Sequence, residues 1–118
     1  MARLLVVDDD PAGLEIRRLI LERGGHQVAT ARNPEDARSS FRQVTPETVL
    51  MDLRLPETED GLALIRDFRA ADPAVRIVIL AGCSSDLEGR EEKAMVNEIL
   101  NKPARSESLL RALSRENR

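Results

Sequence analysis

Residues 4–13 read LLVVDDDPAG, in which four apolar residues are followed by three carboxylates, a proline and two small residues. The apolar run shows no alternation with polar residues, which is typical of a strand covered on both faces. Asp10 followed by Pro11 indicates the start of a helix, because aspartate is a good N-cap and proline is favoured at the first helical position. The stretch therefore predicts a buried strand that leads into a helix, with acidic side chains at the carboxyl end of the strand.

The same order of strand and helix repeats along the chain. Further strands are predicted at residues 26–31, 48–51, 75–82 and 98–103, and further helices at residues 33–41, 60–73, 84–97 and 106–117. The segment 84–97 is a poor helix former, because it contains Gly89 and has a short apolar face. In the other helices we expect these apolar side chains to face the core: Ile16, Leu19, Ile20, Leu64, Ile65, Phe68, Ala71, Leu109, Leu110 and Leu113.

Five strand–helix units predict an α/β fold with a parallel sheet, right-handed crossovers and helices on both faces. In such open sheets, ligands bind outside the carboxyl ends of the strands. The residues that follow the strands are therefore the candidate functional residues: Asp8, Asp9, Asp52, Ala81, Gly82 and Lys102.

Length and composition limit the function classes. The 118 residues are enough for one domain, which we expect to span residues 1–118. The net charge of −3, with two Phe and neither Trp nor Tyr, argues against direct binding of nucleic acid. One cysteine, Cys83, excludes an internal disulfide, and we expect it to be a small buried apolar residue.

Neither a membrane segment nor a signal peptide is predicted. No apolar run approaches the length that crosses a bilayer, and the N-terminal stretch turns acidic too early for a secretion signal. We therefore expect a cytoplasmic protein with no membrane contact. His26 is expected at the surface, and Arg17, Arg18 and Arg23 on a solvated helix face.

Asp8, Asp9 and Asp52 converge at one edge of the sheet if the first and third strands are neighbours. Hard carboxylate oxygens in this arrangement suit Mg²⁺, which commonly takes a few carboxylates together with waters and a phosphate group. Lys102 is a second candidate positive group, a compact charge suited to a phosphoryl oxygen. The alternative is that acidic residues after a strand serve as helix caps or solvated turns, and we prefer that interpretation for Asp10.

The sequence resembles the receiver domains of two-component response regulators. The resemblance rests on LLVVDDD (4–10), VLMDLRLP (49–56), DGLALIR (60–66), VRIVILAG (75–82) and NKP (101–103), which in this order cover nearly the whole chain. It implies a flavodoxin-like, three-layer fold whose five parallel strands lie in the order 2-1-3-4-5.

The resemblance also implies a role for each site residue. Asp52 would accept a phosphoryl group from a phosphohistidine on a sensor histidine kinase, and Lys102 would contact that group. Asp9 would bind Mg²⁺ directly and Asp8 largely through water, while Asp52 and the backbone carbonyl of Arg54 would complete the metal ligands.

Beyond the site, the resemblance implies partners and limits the chemistry. Ala81 and Gly82 would border the phosphoryl group. A downstream effector protein, or a C-terminal output domain outside this sequence, would receive the signal. The protein would mediate its own phosphorylation and dephosphorylation and would not be a turnover enzyme.

The chain departs from the family at the residues that usually transmit the signal. Ala81 stands where the family usually has Thr or Ser, and Ile99 stands where it usually has Tyr or Phe. An alternative function is therefore a pseudo-receiver, an interaction module with no working phosphorylation switch. A Mg²⁺-dependent phosphatase or phosphotransferase of another α/β class is a third hypothesis, disfavoured because the chain is too short for a cap over its substrate.

Two further positions would flank the phosphoryl group in this family. Arg54 and Cys83 could alter how readily water attacks the acyl phosphate. Alternatively, Arg54 points to solvent and Cys83 only fills space, and the sequence leaves both interpretations open.

Overall fold

A computed structural model of the protein describes residues 2–82 and 84–113. Its five strands form one parallel sheet in the order β2-β1-β3-β4-β5. The strands are β1 (Arg3–Val7), β2 (Gln27–Ala31), β3 (Thr48–Asp52), β4 (Arg76–Ala81) and β5 (Glu98–Asn101). The predicted fold class and strand order are confirmed.

Helices cover both faces of the sheet. They are α1 (Pro11–Arg23), α2 (Pro34–Val44), α3 (Thr58–Ala71) and α4 (Ser106–Leu113). Because successive strand side chains point to opposite faces, Leu5 and Val7 join the apolar cluster under α2 and α3. Leu4 and Val6 join the cluster under α1 and α4. The predicted last helix continues to residue 117, but residues 114–118 lie outside the described part of the chain.

The two phenyl rings of the chain lie on the α2 and α3 side of the sheet. Phe41 and Phe68 stack with ring centroids 4.5 Å apart and an interplanar angle of 11°. Both side chains are at least nine-tenths buried, so this contact joins the two helices across the core of that layer.

Local sequence signals position the first helix directly after β1. The side chain of Asp10 caps α1 by accepting a hydrogen bond from the Ala12 amide at 3.2 Å, as predicted for a capping aspartate. Pro11 follows at the first helical position. Two residues, Asp8 and Asp9, therefore separate the end of β1 from the cap, and they lie at the edge of the sheet.

A close backbone contact positions α3 against the end of β3. Gly61 lies in the first turn of α3, and a Cβ atom there would come within 1.8 Å of the Leu53 carbonyl oxygen. Only glycine fits at this approach. The helix therefore begins directly against the residue that follows Asp52.

The prediction of a helix at 84–97 was wrong. Two 3-10 turns, Ser84–Leu87 and Glu91–Met95, replace it, and we call residues 84–95 the 3-10 segment. Arg69 holds the end of this segment by donating to the carbonyl oxygens of Met95 at 2.7 Å and Val75 at 2.7 Å. Side-chain contacts to main-chain carbonyls thus substitute for the continuous helix that Gly89 disfavours.

A buried carboxylate anchors the middle of the 3-10 segment. Glu92 is 5% exposed and forms an ion pair with Arg66 on α3. Its own backbone amide and then Arg66 lower the pKa of the Glu92 carboxyl, against the effect of burial. The segment is therefore tied to α3 through Arg66 and Arg69, and also through the pair of Arg90 with Glu59 at 3.0 Å.

The predicted inner face of α1 was also wrong. Leu14 and Leu21 are buried, whereas Ile16 is 58% and Leu19 is 42% exposed. The helix is rotated so that the face containing Leu14, Arg17 and Leu21 points toward the protein. Ala71, at the end of α3, is exposed and not in the core.

His26 is 8% exposed, which corrects the prediction of a surface residue. The Ala2 amide donates to its Nδ1 at 3.3 Å. Burial and the nearby chain terminus lower the pKa of His26. No helix in the described part of the chain combines the length and the apolar character that crossing a membrane requires.

Candidate functional site

Three carboxylates meet at the carboxyl ends of β1 and β3. The two strands pair in parallel, with Val7 opposite Met51, so the residues that end them lie side by side. Asp8, Asp9 and Asp52 each have a carboxylate oxygen within 4.8 Å of the others. Asp8 is 2% and Asp52 is 6% exposed, whereas Asp9 faces solvent. The structure thus brings together the acidic residues selected from the sequence.

Lys102, the residue that follows β5, joins this cluster. Its backbone amide donates to the Ala81 carbonyl at 2.9 Å, which places the side chain beside the end of β4. Its Nζ lies 2.5 Å from Asp52 Oδ2. Burial raises the pKa of the Asp52 carboxyl, and the hydrogen bond and charge of Lys102 oppose that rise.

An open cavity of about 510 Å³ lies above Asp52. Its lining residues come from the ends of several strands and from the loops that follow them: Asp9, Asp52, Leu53, Arg54, Pro56, Gly82, Asp86 and Lys102. The buried carboxylate of Asp52 is therefore accessible to a small ligand through this opening, with a lysine on one side and Asp9 on the other.

Arg54 is largely exposed at the rim of this cavity. Its Nη2 atom lies 4.0 Å from Asp86 Oδ2 across the opening. The side chain thus extends into solvent and also reaches a carboxylate on the 3-10 segment. Nothing in the sequence pattern indicated Asp86 as a cavity residue, because its position depends on the 3-10 turn. Cys83, predicted to flank the same cavity or to fill space, lies outside the described residues.

Of the two small residues predicted to border the ligand, Gly82 lines the cavity. Ala81 is 1% exposed and its side chain belongs to the apolar cluster on the α2 and α3 side. Ile99 packs against the same cluster. A methyl group and an aliphatic side chain therefore occupy this part of the core, and neither has a hydroxyl group for hydrogen bonding.

Arg17 is a site residue that sequence reasoning missed. Its guanidinium forms an ion pair with Asp8, so the prediction of a solvated face was wrong for this residue. The neighbouring Arg18 does lie on that face, where it pairs with Glu22 at 2.6 Å. The signal that could have identified Arg17 is its spacing from Leu14 and Leu21 on one side of α1.

The donor set suits a hard divalent cation. Three carboxylates with oxygens this close repel one another unless positive charge lies among them, and Mg²⁺ prefers oxygen ligands. Asp9 and Asp52 both face the open cavity, which leaves room for waters and a phosphoryl oxygen. The residues present therefore fit a magnesium ion.

Comparisons with known proteins agree with this geometry. The family model described as the response regulator receiver domain matches residues 4–114. Protein PilH of Pseudomonas aeruginosa is 32% identical over 97% of this chain and 96% of its own length. The virulence transcriptional regulatory protein PhoP of Salmonella typhimurium is 31% identical over 99% of this chain, which spans 54% of that protein.

Solved structures give the same result. A CheY-like receiver domain from Methylobacillus flagellatus superposes with a TM-score of 0.85 at 30% identity, over 97% of both chains. A receiver domain protein from Clostridium thermocellum reaches a TM-score of 0.87 at 26% identity, over 97% of this chain and 92% of that one. The similarity therefore covers the sheet, the helices and the acidic edge together.

Proposed function

The chain belongs to the response regulator receiver domain family of two-component signalling, and we propose that Asp52 accepts a phosphoryl group from a sensor histidine kinase in a Mg²⁺-dependent reaction. The observation that carries the proposal is the contact of Asp52 with Lys102 at the base of an open cavity. The product would be an acyl phosphate that changes the charge at the rim of the site and thereby a protein–protein interaction.

The phosphoryl transfer forms one bond, at Asp52, and breaks one bond, at the donor histidine. An oxygen of the ionised Asp52 carboxylate attacks phosphorus, and the bond between phosphorus and the donor imidazole nitrogen breaks. The electron pair of that bond returns to the imidazole, which is left neutral or takes a proton from solvent. Lys102 stabilises charge on the phosphoryl oxygens, because its ammonium group already lies at the acceptor carboxylate.

Asp8, Asp9 and Asp52, with the backbone carbonyl of Arg54, would hold the magnesium ion. When bound, the ion supplies positive charge that neutralises the phosphoryl oxygens during transfer. The chain's own residues fix the acceptor: β3 positions Asp52, and the approach of Gly61 to Leu53 holds the following loop. We infer that the chain catalyses only its own phosphorylation and dephosphorylation.

The surface beside the site supports docking of the phosphodonor. A groove of about 490 Å³ lies between α1 and the connection from β5 to α4, and Lys102 and Ile16 are among its lining residues. Ile16 and Leu19 are exposed apolar residues on the same helix. A sensor kinase seated in this groove would border Lys102, which contacts Asp52.

The output of the signal lies with a partner. Relatives named as transcriptional regulatory proteins are longer than this chain, which spans 54% of PhoP and 18% of ZraR of Salmonella typhimurium. We propose that a downstream effector or a C-terminal output domain reads the phosphorylated site. With a net charge of −3, this domain is not proposed to bind nucleic acid directly, and we propose a cytoplasmic location.

The experiment is phosphorylation by a small phosphodonor such as acetyl phosphate with Mg²⁺, followed by intact mass measurement. We expect one phosphoryl adduct that hydroxylamine removes, because acyl phosphates are cleaved by it. Asp52→Asn should give no adduct, and Asp9→Asn should need far more Mg²⁺. Asp67→Asn, which changes a surface carboxylate paired with Arg38, is the matched control. An adduct that persists in Asp52→Asn contradicts the proposal.

A pseudo-receiver is the second candidate. The observation that favours it is the apolar character of Ala81 in the core and of Ile99 packed against it, because neither side chain has a hydroxyl group to follow a phosphoryl group. In that case a partner binds wild-type protein and Asp52→Ala with the same affinity, with or without phosphodonor. A difference between the two proteins favours the phosphorylated switch.

A further inference from the structure

The guanidinium of Arg17 lies inside the acidic cluster. It forms an ion pair with Asp8 Oδ2, and the two side chains are only 19% and 3% exposed. The other oxygen of the same carboxylate, Oδ1, accepts a hydrogen bond from the Asp10 amide at 3.0 Å. Both oxygens of Asp8 therefore already have partners within the chain.

The local sequence directs Arg17 to this position. Arg17 lies on the inward face of α1 between the buried residues Leu14 and Leu21. Gly13 borders the pair, because a Cβ atom there would be 3.4 Å from Asp8 Oδ2 and 3.5 Å from Arg17 Nη1. The side chain thus lies along the helix toward the end of β1, and the guanidinium meets the carboxylate.

Two basic groups divide the cluster between them. Lys102 pairs with Asp52 and Arg17 pairs with Asp8. Asp9 takes part in none of the ion pairs described between residues 2 and 113. Positive charge of the kind that a divalent cation would supply is therefore already present at Asp8, carried by a side chain that cannot diffuse away.

We propose that Arg17 is a tethered cation that competes with the divalent metal for Asp8. It neutralises the carboxylate when no metal is bound, and it must release Oδ2 when Asp8 turns to the metal and the waters around it. The free energy needed to open this largely buried ion pair then makes the binding free energy of the metal less favourable. This inference rests on the proposed metal-dependent function, and it makes Arg17 a residue that sets the metal concentration at which the site responds.

The test is a titration of the full, unphosphorylated chain with Mn²⁺, read by electron paramagnetic resonance of the free ion. The variants are Arg17→Gln and, as matched control, Arg18→Gln, which removes the same charge from the solvated face of the same helix. Glutamine keeps the helix propensity close to that of arginine. We expect Arg17→Gln to bind Mn²⁺ about three- to tenfold more tightly than wild type, and Arg18→Gln to bind like wild type.

Thermal unfolding followed by far-ultraviolet circular dichroism provides a second readout. In a chelator, Arg17→Gln should unfold at a lower temperature than Arg18→Gln, because the buried carboxylate of Asp8 then lacks its counter-charge. Mn²⁺ should raise the unfolding temperature of Arg17→Gln more than that of wild type. If Arg17→Gln does not fold without metal, Arg17→Lys should fold. Its affinity for Mn²⁺ should lie between that of wild type and that predicted for Arg17→Gln.

The outcomes separate the two proposals. Equal tightening in Arg17→Gln and Arg18→Gln reflects net charge alone and overturns the inference, as does unchanged or weaker binding in Arg17→Gln. If wild type binds Mn²⁺ and Asp9→Asn abolishes that binding, the proposed metal site is supported, whatever the result for the Arg17 variants. If neither wild type nor Arg17→Gln binds Mn²⁺, the proposed metal-dependent function fails together with the inference.

Discussion

The buried histidine is the clearest pH-sensitive residue outside the site. Nδ1 of His26 accepts a hydrogen bond from the Ala2 amide at 3.3 Å, which requires an unprotonated nitrogen. Burial, with the positive chain terminus as a smaller cause, lowers the pKa of His26 in the folded protein. The protonated form is therefore favoured in the unfolded chain.

The sign of the pH dependence follows from that difference. The stability that His26 contributes is fully present above its ordinary pKa of about 6.5, and it is lost as the pH falls through that value toward the lower folded pKa. We expect the free energy of unfolding to decline between about pH 7.5 and pH 5. Replacement by glutamine should flatten this decline.

Urea unfolding followed by circular dichroism measures this effect, since the chain contains neither Trp nor Tyr for fluorescence. The quantity to compare is the difference between wild type and His26→Gln at each pH, which isolates this group from the carboxylates. A difference that does not vary with pH would show that His26 keeps its ordinary pKa in the folded protein.

Residue by residue, the acidic positions were predictable and the basic ones only in part. Asp8, Asp9, Asp52 and Lys102 follow strand ends, and a parallel sheet brings strand ends together whatever the details of packing. The role of Arg17 depends on the rotation of α1. The apolar residues in its second turn suggested a different rotation from the one observed, so the sequence pattern could not separate Arg17 from Arg18.

At the scale of elements, the start of α3 is the most constrained junction. A Cβ atom at Gly61 would meet the Leu53 carbonyl oxygen at 1.8 Å and its carbon at 2.7 Å, and both are backbone atoms. The helix or the loop after Asp52 would have to move. We expect Gly61→Ala to lower the free energy of unfolding by about 3 kcal/mol, at the upper end of overpacking costs.

Gly82→Ala is the matched control for this prediction, because no heavy atom outside its chain neighbours lies within 4 Å of a Cβ built there. Its free energy of unfolding should stay within about 0.5 kcal/mol of wild type. If Gly61→Ala is as stable as Gly82→Ala, α3 does not press against the backbone after β3 as the structure indicates.

The 3-10 segment shows where element prediction from sequence fails. Gly89 marked this part of the chain as a poor helix former, but the pattern could not indicate what would replace the helix. The replacement depends on Arg69 and Arg66, two α3 residues that reach the segment from more than twenty residues away. Local propensity contains no information about such contacts, and tertiary hydrogen bonds decide the outcome.

At the scale of the whole molecule, the question is how far a signal at Asp52 travels. Ala81 and Ile99 offer no hydroxyl or phenol to follow a phosphoryl group. Arg69 and the ion pair of Arg66 with the buried Glu92 hold the 3-10 segment against α3. We therefore expect a response that stays at the rim of the cavity.

Amide chemical shifts measured with Mg²⁺ and beryllofluoride test this expectation. Changes should appear at residues 9, 52–54, 82 and 102, and should be absent from β5 and α4. Asp52→Asn should show none of them. Large changes along β5 or α4 in the wild-type protein would mean that the signal reaches the far face by a route independent of a hydroxyl group at position 81.

The global architecture was the most predictable level. The order of apolar runs and helix starts determines an α/β sheet, and the motif resemblance determined its strand order, because both depend on features repeated over the whole chain. Burial of single polar groups such as His26 depends on which neighbours fold over them. That information is spread over distant residues, and a local pattern does not contain it.

The ring currents of the stacked pair Phe41 and Phe68 allow the packing of α2 against α3 to be followed by proton NMR. Ring currents shift the proton resonances of methyl groups near a phenyl face, and the chain has no tyrosine or tryptophan to add competing shifts. Upfield methyl signals would therefore monitor the contact between α2 and α3 without any label. If these signals stay unchanged while Mg²⁺ and beryllofluoride are added to the acidic site, the packing of α2 against α3 does not respond to the ligand.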